Sequence, residues 1–243
     1  MPLLEGCRLF AVEGISKKYG SATVLDNVSF SVGPGEIAAI VGKNGCGKST
    51  LLAIAATLLR ADSGAVLLDG RNPVADTSLR RNIGYVAQGD SLFDELSVGD
   101  NLRFWAGAAG IPEAAAADSP FAALLGLDKF WNKRVSRLSG GMRRRAAICA
   151  ALLGDPQYVL LDEPFTGLDM LYRQHLSGFL HRLRERGKTI VYTTHSPQEL
   201  AELSDFALLL SGGRIARRED TTASDGADLQ KLFLSYIEGE ESK

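Results

Sequence analysis

The segment GKNGCGKST, residues 42–50, constrains the fold of this chain more than any other part of the sequence. It follows a short apolar run, EIAAIVG, and precedes a stretch with helical character from Lys48 to about Arg60. The spacing G-x-x-x-x-G-K-[ST] is typical of a loop whose backbone N–H groups turn inward around phosphates at a helix N-terminus. The order strand, glycine-rich loop, helix therefore predicts the start of an α/β unit that binds the phosphate chain of a nucleotide.

The residue types in this loop suit that chemistry. The ammonium group of Lys48 would place a positive charge between the β- and γ-phosphates, and the hydroxyl of Ser49 would be a ligand of magnesium. The loop residues expected to contact the nucleotide are Gly42, Lys43, Asn44, Gly45, Cys46, Gly47, Lys48, Ser49 and Thr50.

A pair of carboxylates ends a second apolar run, YVLLDEP at 158–164. If this run is a buried strand, Asp162 lies at its C-terminal end, where open parallel sheets bind their ligands, and can hold magnesium through water. Glu163 then points elsewhere and can polarise an attacking water molecule. A carboxylate pair after a strand is more often a solvated turn, but the glycine loop upstream favours the catalytic interpretation.

The rest of the chain predicts one α/β domain with a parallel central sheet, an antiparallel β subdomain at the front and an inserted helical subdomain. Val28, Phe30 and Val32 alternate with polar or small residues, as in a strand with one buried face. The expected elements are antiparallel strands over 9–32, a hairpin over 65–70, a strand over 83–88, a helical insert over 98–133, two further strand–helix pairs, and a short amphipathic helix over 229–237.

Composition excludes several classes of partner. The chain has 27 basic and 29 acidic residues and a net charge of -2, so no overall field would attract nucleic acid or an acidic membrane. The apolar runs are far shorter than the ~20 residues that cross a bilayer, and the first residues lack the pattern of a secretion signal. Cys7, Cys46 and Cys149 are too scattered for a disulfide framework. We therefore expect a cytosolic chain with reduced thiols.

The segment LSGGMRRRA, residues 138–146, combines three features with different meanings. The hydroxyl of Ser139 and the amides of Gly140 and Gly141 are suitable donors to a phosphate at a helix N-terminus. Met142 begins an apolar stripe at helical spacing, so we expect it to pack. The three arginines that follow predict a solvated helix face with one arginine packed inward, rather than a nucleic-acid site.

Taken in order, these segments resemble the ATP-binding subunit of ATP-binding cassette (ABC) transporters over roughly residues 9–210. The resemblance implies an ABC ATPase fold, which is α/β: a P-loop NTPase core with a mainly parallel sheet, an N-terminal antiparallel β subdomain and an inserted helical subdomain. It implies a single domain over residues 7–237, with the helical subdomain inserted at about 89–155, and a charged tail over 238–243.

The resemblance also implies roles for residues outside these segments. Gln88, in YVAQ, matches the Q-loop glutamine, a ligand of magnesium that also contacts the attacking water. His195 matches the switch histidine that senses the γ-phosphate, and Asp169 ends the D-loop TGLD. Tyr19, in KKYG, matches the aromatic residue that stacks on adenine, although an aromatic residue near a strand end is often a core residue.

In the family the signature segment LSGG lies far from the phosphate loop of its own chain, which implies that two subunits pair head to tail around two ATP molecules. Pairing could be with a second copy or a related subunit. The resemblance implies an integral-membrane permease as partner and a position on the inner face of the cell membrane. The segment LSGGM, with methionine in place of the usual glutamine, resembles the signature segment of the family's exporter branch. Members of that branch export drugs, polysaccharides, lipids or haem. A soluble, non-transport ATPase acting on ribosomes or DNA remains the alternative.

Overall fold

The computed structural model describes residues 9–89 and 91–221. Its strands are β1 (Phe10–Tyr19), β2 (Ala22–Val32), β3 (Ile37–Val41), β4 (Ser63–Leu68), β5 (Ile83–Val86), β6 (Tyr158–Leu161), β7 (Thr189–Thr194), β8 (Phe206–Ser211) and β9 (Arg214–Asp220). Its α-helices are α1 (Lys48–Ala55), α2 (Val98–Ala108), α3 (Pro120–Leu124), α4 (Gly140–Leu152), α5 (Met170–Glu185) and α6 (Pro197–Leu203). Short 3₁₀ helices cover Thr77–Asn82, Glu113–Ala116, Leu127–Phe130 and Val135–Arg137.

The larger sheet positions the candidate site. It has six strands in the order β5-β6-β7-β3-β8-β9, and every pair is parallel except β8 with β9. The five parallel strands therefore end at the same edge, where the loops after β3, β5, β6 and β7 meet. Side chains of β3, β6 and β7 are buried throughout, as expected for a parallel sheet covered on both faces.

The front of the molecule is a three-stranded antiparallel sheet in the order β2-β1-β4. Val28, Phe30 and Val32 are buried, which confirms the alternating pattern of the sequence. The expected hairpin over 65–70 is wrong: β4 pairs with β1, and the turn at Asp69 and Gly70 leads only to an isolated bridge between Leu68 and Arg71. Asp69 and Gly70 do form a turn, but the residues that pair with β4 lie 47 to 58 positions upstream and give no local signal.

Two element ends differ from expectation. Helix α1 ends at Ala55 rather than near Arg60, because Thr57 adopts a left-handed conformation (φ 61°) and the N–H of Leu58 bonds to the carbonyl of Ala53 at 2.9 Å. Strand β5 ends at Val86, opposite Leu161 of β6, which leaves Gln88 in the following loop.

The helical insert is confirmed and packs on one side of the larger sheet. Its buried residues, among them Leu102, Phe130 and Ile148, belong to one apolar cluster with Val159 and Ile190 of the sheet. The other face of the sheet forms a second cluster with the front sheet and α1.

Three sequence predictions lie outside the described residues: the helix over 229–237, the tail over 238–243 and the state of Cys7. Among residues 9–89 and 91–221, no helix has the length and apolar character needed to span a membrane.

Candidate nucleotide-binding and hydrolysis site

The loop between β3 and α1 has the conformation that its glycines allow. Gly45 and Gly47 have φ of 80° and 106°, in the region that L side chains rarely adopt. A Cβ atom on Gly42 would lie 2.4 Å from the carbonyl oxygen of Leu210, so a side chain there would collide with β8. Lys48 is 6% exposed, and its Nζ donates to the carbonyl oxygens of Gly42 (2.8 Å) and Lys43 (3.0 Å). These bonds hold the ammonium group inside the loop and leave one of its three protons for a phosphate oxygen.

Asp162 is a buried carboxylate directly after β6. It is 1% exposed, and its Oδ1 accepts a hydrogen bond from the hydroxyl of Thr193 at 2.6 Å. The same hydroxyl oxygen accepts from the backbone N–H of Glu163 at 2.8 Å. Thr193 therefore fixes both members of the carboxylate pair, a role that sequence reasoning missed, because TIVYTTH contains three threonines and nothing in the pattern singles out this one.

The side chain of Glu163 lies where the loops after β5, β6 and β7 meet. Its Oε2 accepts from Gln88 Nε2 (3.2 Å) and from the hydroxyl of Thr166 (3.1 Å), and its Oε1 lies 3.5 Å from His195 Nδ1. Its backbone φ of 47° is uncommon for a residue other than glycine and turns the chain sharply after Asp162. The structure thus brings together the three residues that the sequence predicts to act in hydrolysis.

A second carboxylate, the partly buried Glu199 of α6, lies near the turn that carries His195. Its Oε2 accepts from the hydroxyl of Thr194, and its Oε1 lies 3.4 Å from Nη1 of Arg173. The hydroxyl oxygen of Thr194 also accepts from the N–H of Ser196 at 2.9 Å, so the turn that carries His195 is tied at both sides. Burial raises the pKa of Glu199, and the hydrogen bond from Thr194 opposes that rise.

The signature segment begins α4. Ser139 is its N-cap, with a side-chain oxygen that accepts from the N–H of Met142 at 3.3 Å, and Ser139 and Gly140 are exposed. Gly141 is buried against Leu168, in the D-loop. Met142 is half-buried and packs on the core, as expected.

Two further predicted residues have exposed side chains. Tyr19 ends β1 with half of its surface exposed (51%), and Nζ of Lys17 lies 5.7 Å from its ring centroid. Tyr19 is therefore not a core residue. Asp169 is the N-cap of α5, where its Oδ1 accepts from the N–H of Tyr172 at 3.0 Å.

The prediction for the three arginines is correct for two of them. Arg144 packs inward and is 8% exposed. Arg143 lies on the expected solvated face, where its partly exposed side chain pairs with the exposed Asp94. The prediction is wrong for Arg145, whose guanidinium lies 4.9 Å from the ring centroid of Phe130 and 4.5 Å from that of Tyr172. Its partners come from distant segments, which a helical pattern does not show.

A phosphate-binding loop on a parallel sheet, a carboxylate pair at the same edge and a serine-capped signature helix on an inserted helical segment define a cassette-type ATPase. The chain matches the family model described as ABC transporter over residues 25–166. It belongs to the ABC transporter family, as an ATP-binding subunit, and such subunits are ATPases. A shorter match, over residues 132–201, is to a model described as AAA domain, putative AbiEii toxin, Type IV TA system.

Several curated relatives are similar in sequence. The chain is 35% identical over 207 residues to a sulfate/thiosulfate import ATP-binding protein of Gloeobacter violaceus, covering 84% of this chain and 60% of that protein. It is 39% identical over 203 residues to the Nod factor export ATP-binding protein I of Rhizobium etli, covering 82% and 64%. The chain thus spans about 60% of the length of the curated relatives it matches.

Solved structures confirm the fold. The ATP-binding subunit of an ABC transporter superposes with a TM-score of 0.81 at 27% identity, covering 93% of this chain and 99% of that one. A dimeric ATP-binding cassette in a post-hydrolysis state, bound to ADP and phosphate, superposes with a TM-score of 0.77 at 27% identity, covering 87% and 98%.

Proposed function

We propose that this chain hydrolyses ATP at a site completed by a second cassette subunit, and that the cycle drives transport through a separate membrane-spanning partner. The observation that carries the proposal is the meeting of Gln88 and His195 at the carboxylate of Glu163, from loops after three different strands of one sheet edge. Gln88 and Glu163 are 75 positions apart in the sequence, yet Nε2 of Gln88 lies 3.2 Å from Oε2 of Glu163. They meet at the same sheet edge from which the phosphate loop starts.

The phosphate chain would be bound by the loop over 42–50. Lys48 offers its remaining proton to the β- and γ-phosphates, and the inward amides of the loop and the N-terminus of α1 add donors. Tyr19 would stack on the adenine ring through its exposed face.

The oxygen donors near the loop fit magnesium. Asp162 is a buried carboxylate whose Oδ1 accepts from Thr193, and Ser49 is an exposed residue with a hydroxyl on the first turn of α1. Carboxylate, hydroxyl and the amide oxygen of Gln88 are hard ligands of the kind that Mg²⁺ prefers. Among the described residues no group of three or more acidic, histidine or cysteine side chains could hold a metal by itself, so the ion would bind together with the ATP phosphates. When bound, it would neutralise charge that develops on those phosphates.

Hydrolysis would depend on the orientation of Glu163. Its Oε2 accepts from Gln88 and Thr166, its Oε1 faces His195 at 3.5 Å, and its side chain is 10% exposed, which suits a group that orients water and accepts its proton. His195, 55% exposed, can reach from Glu163 toward the γ-phosphate.

A second subunit would supply Ser139, Gly140 and Gly141 to the γ-phosphate. The exposed hydroxyl of Ser139 and the exposed N-terminus of α4 are free to face another chain. ATP would then join two subunits, and hydrolysis would release them, because the γ-phosphate contacts exist only before cleavage.

Glu163→Gln tests this mechanism. The amide keeps the shape of the side chain but cannot accept the proton, so ATP binding should persist while turnover falls and a dimer accumulates. Size-exclusion chromatography with light scattering in the presence of ATP and magnesium measures the dimer. Glu202→Gln, an exposed carboxylate on α6, is the matched control and should hydrolyse ATP normally. A strictly monomeric Glu163→Gln protein that binds ATP would contradict the two-subunit site.

The partner would dock on an apolar surface between the sheet and the helical insert. A cavity of about 270 Å³ there is lined by Leu58, Leu92 and Trp105, among others. Beside it the rings of Phe93 and Phe104 lie 4.8 Å apart, edge to face, and are 44% and 49% exposed. Exposed apolar patches of this kind mark interaction sites.

Phe104→Ser tests the docking surface. Tagged protein should recover a polytopic membrane protein from detergent extracts of its source, and the serine variant should recover much less. Leu124→Ser, which replaces an exposed apolar side chain (42%) elsewhere on the insert, is the control. Equal recovery by both variants would contradict this surface.

The proposed direction is export, supported by the resemblance of LSGGM to the exporter branch. The relatives are mixed, since they include import proteins for sulfate, Fe(3+) ions and spermidine/putrescine as well as the Nod factor exporter. Uptake of the cargo into inverted vesicles, rather than upright ones, would support export.

We further propose that residues 7–237 form a single domain with the helical subdomain at about 89–155, and that the chain works at the inner face of the membrane.

A further inference from the structure

Arg144 of the signature helix α4 is a buried cation that reaches out of the helical insert into the sheet edge. It is 8% exposed, and its guanidinium donates to two main-chain oxygens. Nη1 bonds to the carbonyl of Ala87 at 2.6 Å, and Nη2 bonds to the carbonyl of Asp162. A buried charge is costly without such partners, and the planar fork of arginine can serve two carbonyls at once.

Both carbonyls belong to peptide bonds next to the residues proposed to act in hydrolysis. Ala87 immediately precedes Gln88, and the carbonyl of Asp162 is part of the peptide that leads into Glu163. One guanidinium therefore joins the loop after β5 to the loop after β6.

The peptide between Asp162 and Glu163 is held on both sides. Its carbonyl accepts from Arg144, and its N–H donates to the hydroxyl of Thr193 at 2.8 Å. Glu163 follows with a φ of 47°, a conformation that persists only where surrounding contacts determine it. Rotation of this peptide would move the Glu163 carboxylate away from Gln88 and His195.

The charge of Arg144 also affects the pKa of Tyr85 in the neighbouring strand β5. Burial and, to a smaller extent, the Asp162 carboxylate raise the pKa of Tyr85 to about 12, and the charge of Arg144 opposes that rise. The neighbouring arginines have different surroundings, since Arg143 pairs with Asp94 and the guanidinium of Arg145 stacks on the rings of Phe130 and Tyr172.

We propose that Arg144 is a positioning residue that sets the peptide carrying Glu163 and the loop carrying Gln88, and so links the position of the signature helix to the geometry of hydrolysis. Any displacement of α4 relative to the sheet would be transmitted to both loops through one side chain. The inference rests on the proposed function, and extends it to a residue that does not touch the nucleotide.

Kinetics of Arg144→Met and Arg144→Lys provide the first test. Methionine is similar in length to arginine but has no hydrogen-bond donor, so Glu163 and Gln88 should lose their orientation while the phosphate loop is unaffected. We therefore expect kcat for ATP to fall by about tenfold to a hundredfold and KM for ATP to change less than about twofold. Lysine keeps the charge but can serve only one carbonyl well, and should restore part of kcat. Arg143→Met, one residue earlier on the same helix, is the control and should retain the kcat of the wild type.

Hydrogen exchange with mass spectrometry provides a readout that does not need activity. In Arg144→Met, or in Arg144→Lys if the methionine variant does not fold, peptides that span 160–166 should exchange faster than in the wild type. Peptides from the β2-β1-β4 sheet should exchange at the wild-type rate in the same sample.

The outcomes separate the two proposals. A wild-type protein without ATPase activity refutes the proposed function, and the exchange of 160–166 still decides the role of Arg144. Unchanged exchange and unchanged kcat in Arg144→Met overturn the inference. A second result also overturns the inference. If Arg144→Met loses kcat, ATP affinity and thermal stability together, and Arg144→Lys restores thermal stability but not kcat, Arg144 has only a structural role.

Discussion

The Nδ1 atom of His195 lies 3.5 Å from the Oε1 atom of Glu163. The two residues follow neighbouring parallel strands, β7 and β6, whose register pairs Tyr192 with Leu161. Their proximity is therefore a property of the sheet, which delivers both side chains to one edge. The contact leaves Nε2, the other ring nitrogen of His195, for a phosphate oxygen.

His195→Ala should lower kcat by about 10²-fold or more, the range for loss of a positioned acid–base or hydrogen-bonding group, and should leave binding of a non-hydrolysable ATP analogue nearly unchanged. Steady-state ATPase assays and titration calorimetry measure the two quantities. His175→Ala is the control, because this exposed histidine on α5 lies in no motif. Full activity of His195→Ala would remove the histidine from the mechanism.

Lys48→Ala should lose nucleotide binding itself. The ammonium group of Lys48 is fixed inside the phosphate loop by the carbonyls of Gly42 and Lys43, and its removal takes away the positive charge proposed to bind the phosphate oxygens. Equilibrium binding of a fluorescent ATP analogue tests this, with Lys129→Ala, an exposed lysine of the insert, as the control. An unchanged Kd would refute the assignment of residues 42–50.

Local sequence was sufficient for much of the fold. The apolar run before Gly42 and the glycines after it specify strand, loop and helix within a few residues, because the glycine conformations and the buried strand are local properties. The alternation at Val28, Phe30 and Val32 likewise specified which face of β2 is buried.

Other features depend on which segments meet. The pairing of β4 with β1, the stacking of Arg145 between Phe130 and Tyr172, and the two hydrogen bonds of Thr193 all join residues distant in sequence. Residue type alone assigns threonine to a strand and arginine to a surface, and only the order of strands in the sheet supplies their partners. The sequence thus predicts which residues form the candidate site, whereas the contacts that hold those residues in place are visible only in the structure.

Tyr19→Ala should weaken ATP binding by ~1–3 kcal/mol, the range for stacking of an aromatic side chain on a base. Its ring is 51% exposed at the end of β1, so truncation should cost little stability. Tyr19→Trp should keep the affinity, because stacking needs an aromatic face rather than the hydroxyl. Calorimetric titration with ATP analogues measures both variants, and equal affinity of the wild type and Tyr19→Ala would mean that the ring does not contact adenine.

Glu199→Gln should change how stability depends on pH. Burial raises the pKa of Glu199 above its ordinary value of 4.5, so the folded protein binds this proton more tightly than the unfolded chain. The wild-type carboxyl therefore contributes stability that is fully present below pH 4.5 and is lost as pH rises through the folded pKa. Glutamine does not titrate, so the difference in Tm, wild type minus Glu199→Gln, should decrease as pH rises above that value.

Thermal unfolding of both proteins at a series of pH values, in buffers of constant ionic strength, measures this difference. Glu202→Gln, an exposed carboxyl three residues along the same helix, is measured in parallel as the control for general charge effects. A difference for Glu199→Gln that grows with pH would mean that the hydrogen bond from Thr194 and the charge of Arg173 outweigh burial, and that Glu199 supports the His195 turn chiefly as an ion.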